Sequence, residues 1–433
     1  MDLAWLSLLA LLAVIAISCT TRANPGLVAI VLAWGIALYA AAQPSAAPGG
    51  KALDFKAFLS GFPVDLFLTL LGVTLLFTQA EVNGTLARVA TAAQRLCRGN
   101  RGLVPLSFML LAFGLGTLGP GNIAVAGLIA PVAMASAARM QISPLLMALL
   151  VGHGAIASTL SPFTAAGVVA NTILADMGLG GREWQVFAYN AAANLTVALG
   201  GYFALGGWKL LFERAPAAIG TEEPAASQSP PMAARHWLTL LVIVALVLGV
   251  VVGKVHIGMG AFAGAVLLAM FGLTDERETF AKLPWSVIVM VTGVSMLTAL
   301  LDKTGGTLRF AELIGQVSTP GSATAVLALT TGLVSVYSST TGVVLPAFLP
   351  MVKDLAAIQT GSDPLALALS VLVGGNLVDM SPLSTIGALC LAGAPAGVDR
   401  RRLFNQLLAW GFLLAFLGAL FCWLVFGLAW QHV

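Results

Sequence analysis

The sequence predicts an all-α polytopic membrane protein arranged as an inverted repeat. Each half holds five spans, one of them a broken helix, together with one re-entrant hairpin. Three observations carry that prediction. Of 433 residues, 59% are hydrophobic and only 9% charged, with a mean hydropathy of +0.96. A soluble domain carries about a quarter charged residues, so a soluble enzyme is excluded. The few positive charges fall unevenly between the two sides that the spans define. Finally, two Ser-Pro interruptions of apolar segments stand 220 residues apart in matching surroundings.

The elements follow in order. Leu3–Ser18 has the length of a signal peptide but no basic residue before it, because Met1 and Asp2 lead directly into apolar sequence. A second apolar run follows almost at once, so the segment reads as a retained helix. Further spans are expected near 25–42, 62–79, 143–175, 185–211, 236–252, 257–273, 284–302, 364–393 and 403–427, each with the ~20 apolar residues a crossing needs. Two stretches, 103–139 and 321–354, are too long for one helix and too broken by Gly and Pro for two full crossings. They are expected to be re-entrant hairpins. The segments 50–61, 80–100 and 304–318 mix charge with apolar residues at helical spacing and read as amphipathic interfacial helices. Residues 213–235, rich in Pro, Ala, Ser and Glu, form a solvated cytoplasmic linker between a first repeat, 1–212, and a second, 236–433. Within the repeats, scaffold helices (1–79; 236–302) precede a hairpin (103–139; 321–354), a broken helix (143–175; 364–393) and a closing helix (185–211; 403–427). The cysteines (Cys19, Cys97, Cys390, Cys422) show neither metal nor disulfide spacing and read as inert buried thiols.

Orientation follows from the basic residues. With Arg88, Arg95, Arg98 and Arg101 cytoplasmic, Arg22, Arg139, Lys209, Arg214, Arg235, Arg277, Lys282 and Arg400–Arg402 fall on the same side. Lys51, Lys56, Arg182, Lys254, Lys303, Arg309 and Lys353 fall opposite, so the bias toward the cytoplasm is two to one. A full crossing at either hairpin would scramble that bias. The net charge of +3 is too small to indicate nucleic acid.

The halves match at their motifs. Ser161-Pro162-Phe163-Thr164-Ala165-Ala166-Gly167 corresponds to Ser381-Pro382-Leu383-Ser384-Thr385-Ile386-Gly387, and Gly154 to Gly374, each 220 residues later. The hairpin tips read Gly119-Pro120-Gly121-Asn122 and Ser338-Ser339-Thr340-Thr341, with Pro131 and Pro350 behind them. A lone Ser-Pro in a membrane helix usually marks only a kink. Matched interruptions in corresponding places point instead to a secondary transporter's binding site, because unwound backbone survives at membrane depth only where it lines a cavity. Half-helix N-termini suit a carboxylate, while carbonyls and hydroxyls suit a hard cation. The substrate-binding candidates are Asn122, Ser161, Thr164, Ser339, Thr340, Thr341, Ser381 and Ser384, with Thr117, Ser158 and Ser338 beside them. The cation-coupling candidates are Asn122, Thr159, His153, Asn376, Asp379 and Thr385.

Two of these are ionisable at depth. An intramembrane carboxylate is a functional candidate by default, so Asp379 is assigned to a sodium ion or a proton, with capping of the following half-helix as its structural alternative. His153 on a Gly-rich face has core packing as its alternative. Asn171, Asn190 and Asn194 are expected to join helices. No Arg or Lys falls within the hairpins or breaks at midplane depth, so an anion there is held by dipoles, hydroxyls and a co-bound cation. No catalytic cluster and no cofactor are indicated.

At these residues the sequence resembles the ion transporter superfamily that includes divalent anion/sodium symporters. The N-terminal span pair and the two Ser-Pro breaks look more narrowly like dicarboxylate carriers of the malonate type. The resemblance implies an inverted-repeat fold in the inner membrane, a homodimer, and elevator motion of hairpins and broken helices against a scaffold. It also implies Na⁺- or H⁺-coupled uptake of a small dicarboxylate such as malonate or succinate. In the symporters each hairpin tip carries Ser-Asn-Thr for sodium and substrate. Here the matching positions read Gly121-Asn122-Ile123 and Ser339-Thr340-Thr341, so Asn122 and the second tip's hydroxyls carry over. The alternatives are a cation/proton antiporter, an oxyanion efflux carrier, or the membrane subunit of a permease that uses a binding protein.

Overall fold

The computed structural model describes residues 2–21, 23–42, 59–86, 88, 100–212, 232–359, 361–395 and 397–432 of the chain. The expected helices over 50–61 and 80–100, and the linker over 213–235, fall largely outside the described residues. The remainder is all helical. The first half contains α1 (Leu3–Thr20), α2 (Pro25–Ala42), α3 (Val64–Val82), α4 (Leu103–Thr117), α5 (Gly121–Arg139), α6 (Pro144–Ala157), α7 (Ala165–Asp176) and α8 (Glu183–Ala204). The second contains α9 (Ala234–Val251), α10 (Ile257–Met270), α11 (Glu276–Lys282), α12 (Trp285–Thr304) and α13 (Gly306–Val317). It continues with α14 (Ala323–Tyr337), α15 (Thr340–Ile358, opening on a widened π-type turn), α16 (Pro364–Leu377), α17 (Thr385–Ala392) and α18 (Arg400–Cys422). Seven helices among the described residues are long and apolar enough to cross a membrane. The closing helix expected over 185–211 ends at Ala204 and is followed by a short 3-10 turn, Gly207–Phe212. The amphipathic segment expected over 304–318 is α13, which buries Phe310, Ala311 and Ile314 and turns Arg309 and Glu312 outward.

Both long Gly/Pro-broken stretches are helical hairpins whose feet are tied together. Arg101 donates from Nε to the Met140 carbonyl (2.8 Å) and from Nη2 to that of Gln141 (2.7 Å), closing α4–α5 at its base. Gln359 does the same for α14–α15, donating from Nε2 to the Ser318 carbonyl (3.2 Å) and hydroxyl (2.9 Å). Each hairpin therefore starts and finishes at one end of the molecule, as the charge bias requires. Other contacts group the termini in the same way. Arg88 meets His236 (2.8 Å) and Asn100 reaches Leu211 (3.0 Å) at one end. At the other, His256 meets Asp65 (3.1 Å), Lys303 reaches Ser60 (3.3 Å) and Arg309 lies near Asp2 (3.9 Å).

The helices outside the hairpins and breaks pack in two groups that exchange partners between the halves. In one, α2 lies against α1 and crosses α12; in the other, α10 lies against α9 and crosses α3. Both crossings are tight. A Cβ on Gly26 would overlap the Val289–Met290 backbone, and a Cβ on Gly72 would overlap the Gly258 carbonyl. The cores of the hairpins are exchanged as well. Ile386 and Cys390 of α17 close the apolar cluster around α4–α6. Val168, Val169 and Ile173 of α7 close the cluster around α14–α16.

Candidate functional site

The two broken helices are built on one plan. Each starts on a capped proline: Ser143 accepts from the Leu146 N–H before Pro144, and Asp363 accepts from the Leu365 and Ala366 N–H groups before Pro364. This satisfies N–H groups that a helix start leaves open. The first turns then run into Pro162 and Pro382, which supply no N–H and end the helix. The chain restarts at Thr164, whose hydroxyl accepts from Gly167 N (3.0 Å), and at Ser384. A Cβ on Gly167 or Gly387 would overlap the carbonyl of Ser161 or Ser381, so the glycine six residues on lets the chain fold back across the break.

Each break is fastened to its own hairpin. Ser161 Oγ donates to the Thr117 carbonyl at the end of α4 (2.7 Å). Ser381 Oγ donates to the Val336 carbonyl at the end of α14 (2.8 Å). About two helical turns earlier, Gly154 and Gly374 let α6 and α16 approach the backbones of Met109 and Ala328 too closely for any side chain. Hairpin tip and helix break thus form one junction in each half.

The second junction centres on Asp379, the one buried carboxylate among the described residues. Its Oδ1 accepts from Thr340 (2.7 Å), Ser384 (2.9 Å) and Ser335 (3.3 Å). These hydroxyls come from the hairpin's return arm, the break and the hairpin's first arm. Thr340 Oγ1 also lies 2.5 Å from Ser335 Oγ and 3.2 Å from the Gly375 carbonyl. A hydroxyl has one proton. Three protons directed at Asp379 leave the Ser335–Thr340 and Thr340–Gly375 oxygen pairs with none between them. Beside them Asn376 Oδ1 is buried without a partner, its amide nitrogen being bound to the Leu372 carbonyl (2.9 Å). Such an oxygen-rich, proton-poor cluster can take up a hard cation or an added proton.

Of the residues expected from sequence, Thr340, Asp379 and Ser384 meet in this cluster, Ser381 fastens the break to its hairpin, and Asn376 follows Gly375 on α16. Asp379 does not cap the following half-helix, since Ser384 holds that position. Ser339 caps the start of α15 through Gly342 N (3.1 Å), and Thr341 is buried behind it. Thr385 is exposed at the start of α17, outside the oxygen cluster. At the first junction Thr159 Oγ1 is buried without a partner, and Asn122 is only 7% exposed and makes no side-chain hydrogen bond among the described residues. His153 lies apart from both clusters with each ring nitrogen engaged, by Asn194 Oδ1 (3.0 Å) and Trp410 Nε1 (3.0 Å). That pairing assigns the proton to Nδ1 and a fastening role between α6, α8 and α18. Asn190 ties α8 to the end of α6 through the Ile156 carbonyl (3.0 Å). Sequence reasoning missed Ser335 and also Ser18, whose hydroxyl lies 2.7 Å from that of Ser338 at the second tip.

Comparison with known proteins agrees with this architecture. Residues 1–159 match the family described as the dicarboxylate carrier protein MatC N-terminus. Two solved structures share the fold over nearly the full length of both chains. The Neisseria gonorrhoeae MtrF structure, titled as illuminating a class of antimetabolite efflux pumps, aligns with a TM-score of 0.55 at 15% identity, over 96% of this chain and 97% of that one. The Alcanivorax borkumensis YdaH transporter, described as having an unusual topology, aligns with a TM-score of 0.58 at 16% identity, over 94% and 99%. This is a transporter fold. No curated protein sequence matches the chain at a significant level. The carrier-family match covers α1–α6 and ends before the first Ser-Pro break, and the chain is an integral membrane protein of transporter architecture.

Proposed function

We propose that the chain is a secondary active carrier that takes up a small dicarboxylate such as malonate or succinate together with a cation, Na⁺ or H⁺. In this reading the hairpins and broken helices move as an elevator against α1–α3 and α9–α13, within a homodimer of inverted repeats. The observation that carries it is Asp379: a single buried carboxylate gathering hydroxyls from both hairpin arms and the break. A cation bound there draws the hairpin tip onto the break, so its occupancy sets the geometry next to which a substrate lies. No Lys or Arg is buried among the described residues, so the substrate's negative charge is compensated by that cation and by helix N-termini. The exchange of partners between the halves, and the matched junctions, support the inverted repeat.

Efflux is the second reading, favoured by the shared fold with a structure described in terms of efflux pumps. Asp379 would then exchange protons with outgoing cargo. The deciding experiment is uptake of labelled malonate and succinate into proteoliposomes, with sodium and pH gradients imposed separately. Uptake under an inward gradient of either cation is the expected outcome. Absence of dicarboxylate uptake under both sinks the symport reading, and cargo movement only against an opposed proton gradient establishes the second.

A further inference from the structure

The two junctions share a geometry and differ in chemistry. With Ser161 and Ser381 bound alike to their hairpins, each side chain of the second junction has a counterpart 219 or 220 residues earlier. Thr159 stands where the second half has Asp379, and Thr164 where it has Ser384. Gly121 and Gly116 stand in the places of Thr340 and Ser335. The first junction therefore lacks the carboxylate and two of the three hydroxyls around it. The third hydroxyl, on Thr164, lies within hydrogen-bond distance of the Thr159 and Ser161 carbonyls and caps Gly167 N. At Gly116 the oxygen comes from the break instead, as the hydroxyl of Ser158, which bonds back to the Ala155 carbonyl (2.7 Å).

What the first junction has instead are unspent neutral donors. Thr159 Oγ1 is fully buried and unpartnered, and the Asn122 amide is 7% exposed with no side-chain partner among the described residues. Asn122 lies in the first turn of the 19-residue helix α5, beside the positive-φ glycines Gly119 and Gly121 that shape the tip. A buried hydroxyl, a buried amide and the N-terminal turn of a long helix suit an anion, and nothing there offsets the charge of a cation.

We propose that the second junction is the protein's single cation site, and that the first has become a neutral subsite for one carboxylate group of the substrate, held by Thr159, Asn122 and the start of α5. The identity of that carboxylate rests on the dicarboxylate-carrier reading; the division between the junctions does not. One cation then travels with each substrate, and a doubly charged dicarboxylate moves with net negative charge.

The test uses the full-length protein in detergent. Thermal unfolding midpoints are followed against NaCl with choline chloride as control, against pH, and against malonate. Wild type is compared with T159V, T159S, N122A and D379N. T159V and N122A are expected to weaken the malonate response about tenfold, the worth of one hydrogen bond to a charged group, and to leave the sodium or proton response unchanged. T159S is expected to restore malonate binding, and D379N to lose the cation response altogether. If wild type ignores malonate, the dicarboxylate reading fails. The division still stands or falls on whether the cation response survives T159V and disappears in D379N. A cation response weakened by T159V, retained in D379N, or absent from wild type overturns the proposal.

Discussion

Replacing Asp379 with asparagine isolates charge from shape at the second junction. The amide keeps the volume and one acceptor, so Thr340, Ser384 and Ser335 can still direct hydroxyls toward it. Hydrogen bonds to an ionised acceptor contribute about 1.5–3 kcal/mol and neutral ones about 0.5–1.5. The loss is therefore about 1 kcal/mol for each of three donors, or about 3 kcal/mol of the energy that joins tip to break. At about 1.4 kcal/mol per factor of ten, coupling through this site weakens on the order of 100-fold, before the direct loss of a cation ligand is counted. Stability should fall little, because the substitution also removes a buried charge and its desolvation cost.

The assay compares two modes in the same proteoliposomes. Gradient-driven uptake of malonate needs the coupling cation, whereas exchange of external label for internal substrate at equal concentrations draws no energy from it. Uptake in D379N should drop by about two orders of magnitude with the thermal midpoint nearly unchanged, and residual exchange should lose its dependence on sodium or pH. Gradient-driven uptake at the wild-type rate would refute the reasoning and leave Asp379 a structural residue.

Further substitutions probe the frame around the site. Q359L removes both ties at the base of the second hairpin and should destabilise the protein by about 1–3 kcal/mol, measured by chemical denaturation in detergent. G374A drives a Cβ to within 2.6–2.8 Å of Ala328 and should cost about 1–3 kcal/mol, whereas alanine at Gly35, which faces open space, should cost far less. H153F leaves Asn194 and Trp410 without their partner. It should lower the midpoint and leave the pH profile of uptake in place, and a shifted profile would return His153 to the coupling machinery. In a Cys19→Ser background, S18C with S338C places two thiols where the hydroxyls lie 2.7 Å apart. Oxidation should arrest uptake and reduction restore it, while full-rate transport by the cross-linked protein would rule out movement of that tip past α1.

Glycine and proline made the hairpins and breaks legible in the sequence, because these residues interrupt a helix wherever they fall and the bilayer tolerates interruption only in protected places. Partnership was not legible. Ser335 reads as one more hydroxyl on an apolar helix, and such a hydroxyl ordinarily bonds its own backbone, as Thr331 does to the Leu327 carbonyl (2.8 Å). Only the fold brings Ser335 up to Asp379, 44 residues on. Thr385 was misplaced for the converse reason. It belongs to the motif, but the half-helix begins with it and turns its side chain outward. His153 looked like a functional histidine until Asn194 and Trp410, on two other helices, accounted for both ring nitrogens.

The interleaving of the halves bears on what can move. Because α17 closes the core of the first hairpin and α7 that of the second, neither hairpin can leave its place without dragging the opposite half's break along. Gly393, just past α17, lies so close to Ala130 and Pro131 of α5 that a Cβ there would overlap their backbone. In the proposed elevator the two junctions would therefore shift as one body, and a cation bound at the second would be felt at the first. What they shift against is visible at the tips. Phe77 of α3 covers Gly119, and Met290 of α12 covers Gly342, each so closely that a side chain on the glycine would collide with it. A large apolar side chain over a bare glycine has no directional bond to break when one surface slides across the other. Hydroxyls, carbonyls and the Asp379 carboxylate face inward between tip and break, while the tips meet α3 and α12 through glycine, phenylalanine and methionine, and the second tip keeps one polar tie to α1, between Ser338 and Ser18 (2.7 Å). Apolar contacts of this kind suit the elevator movement proposed above.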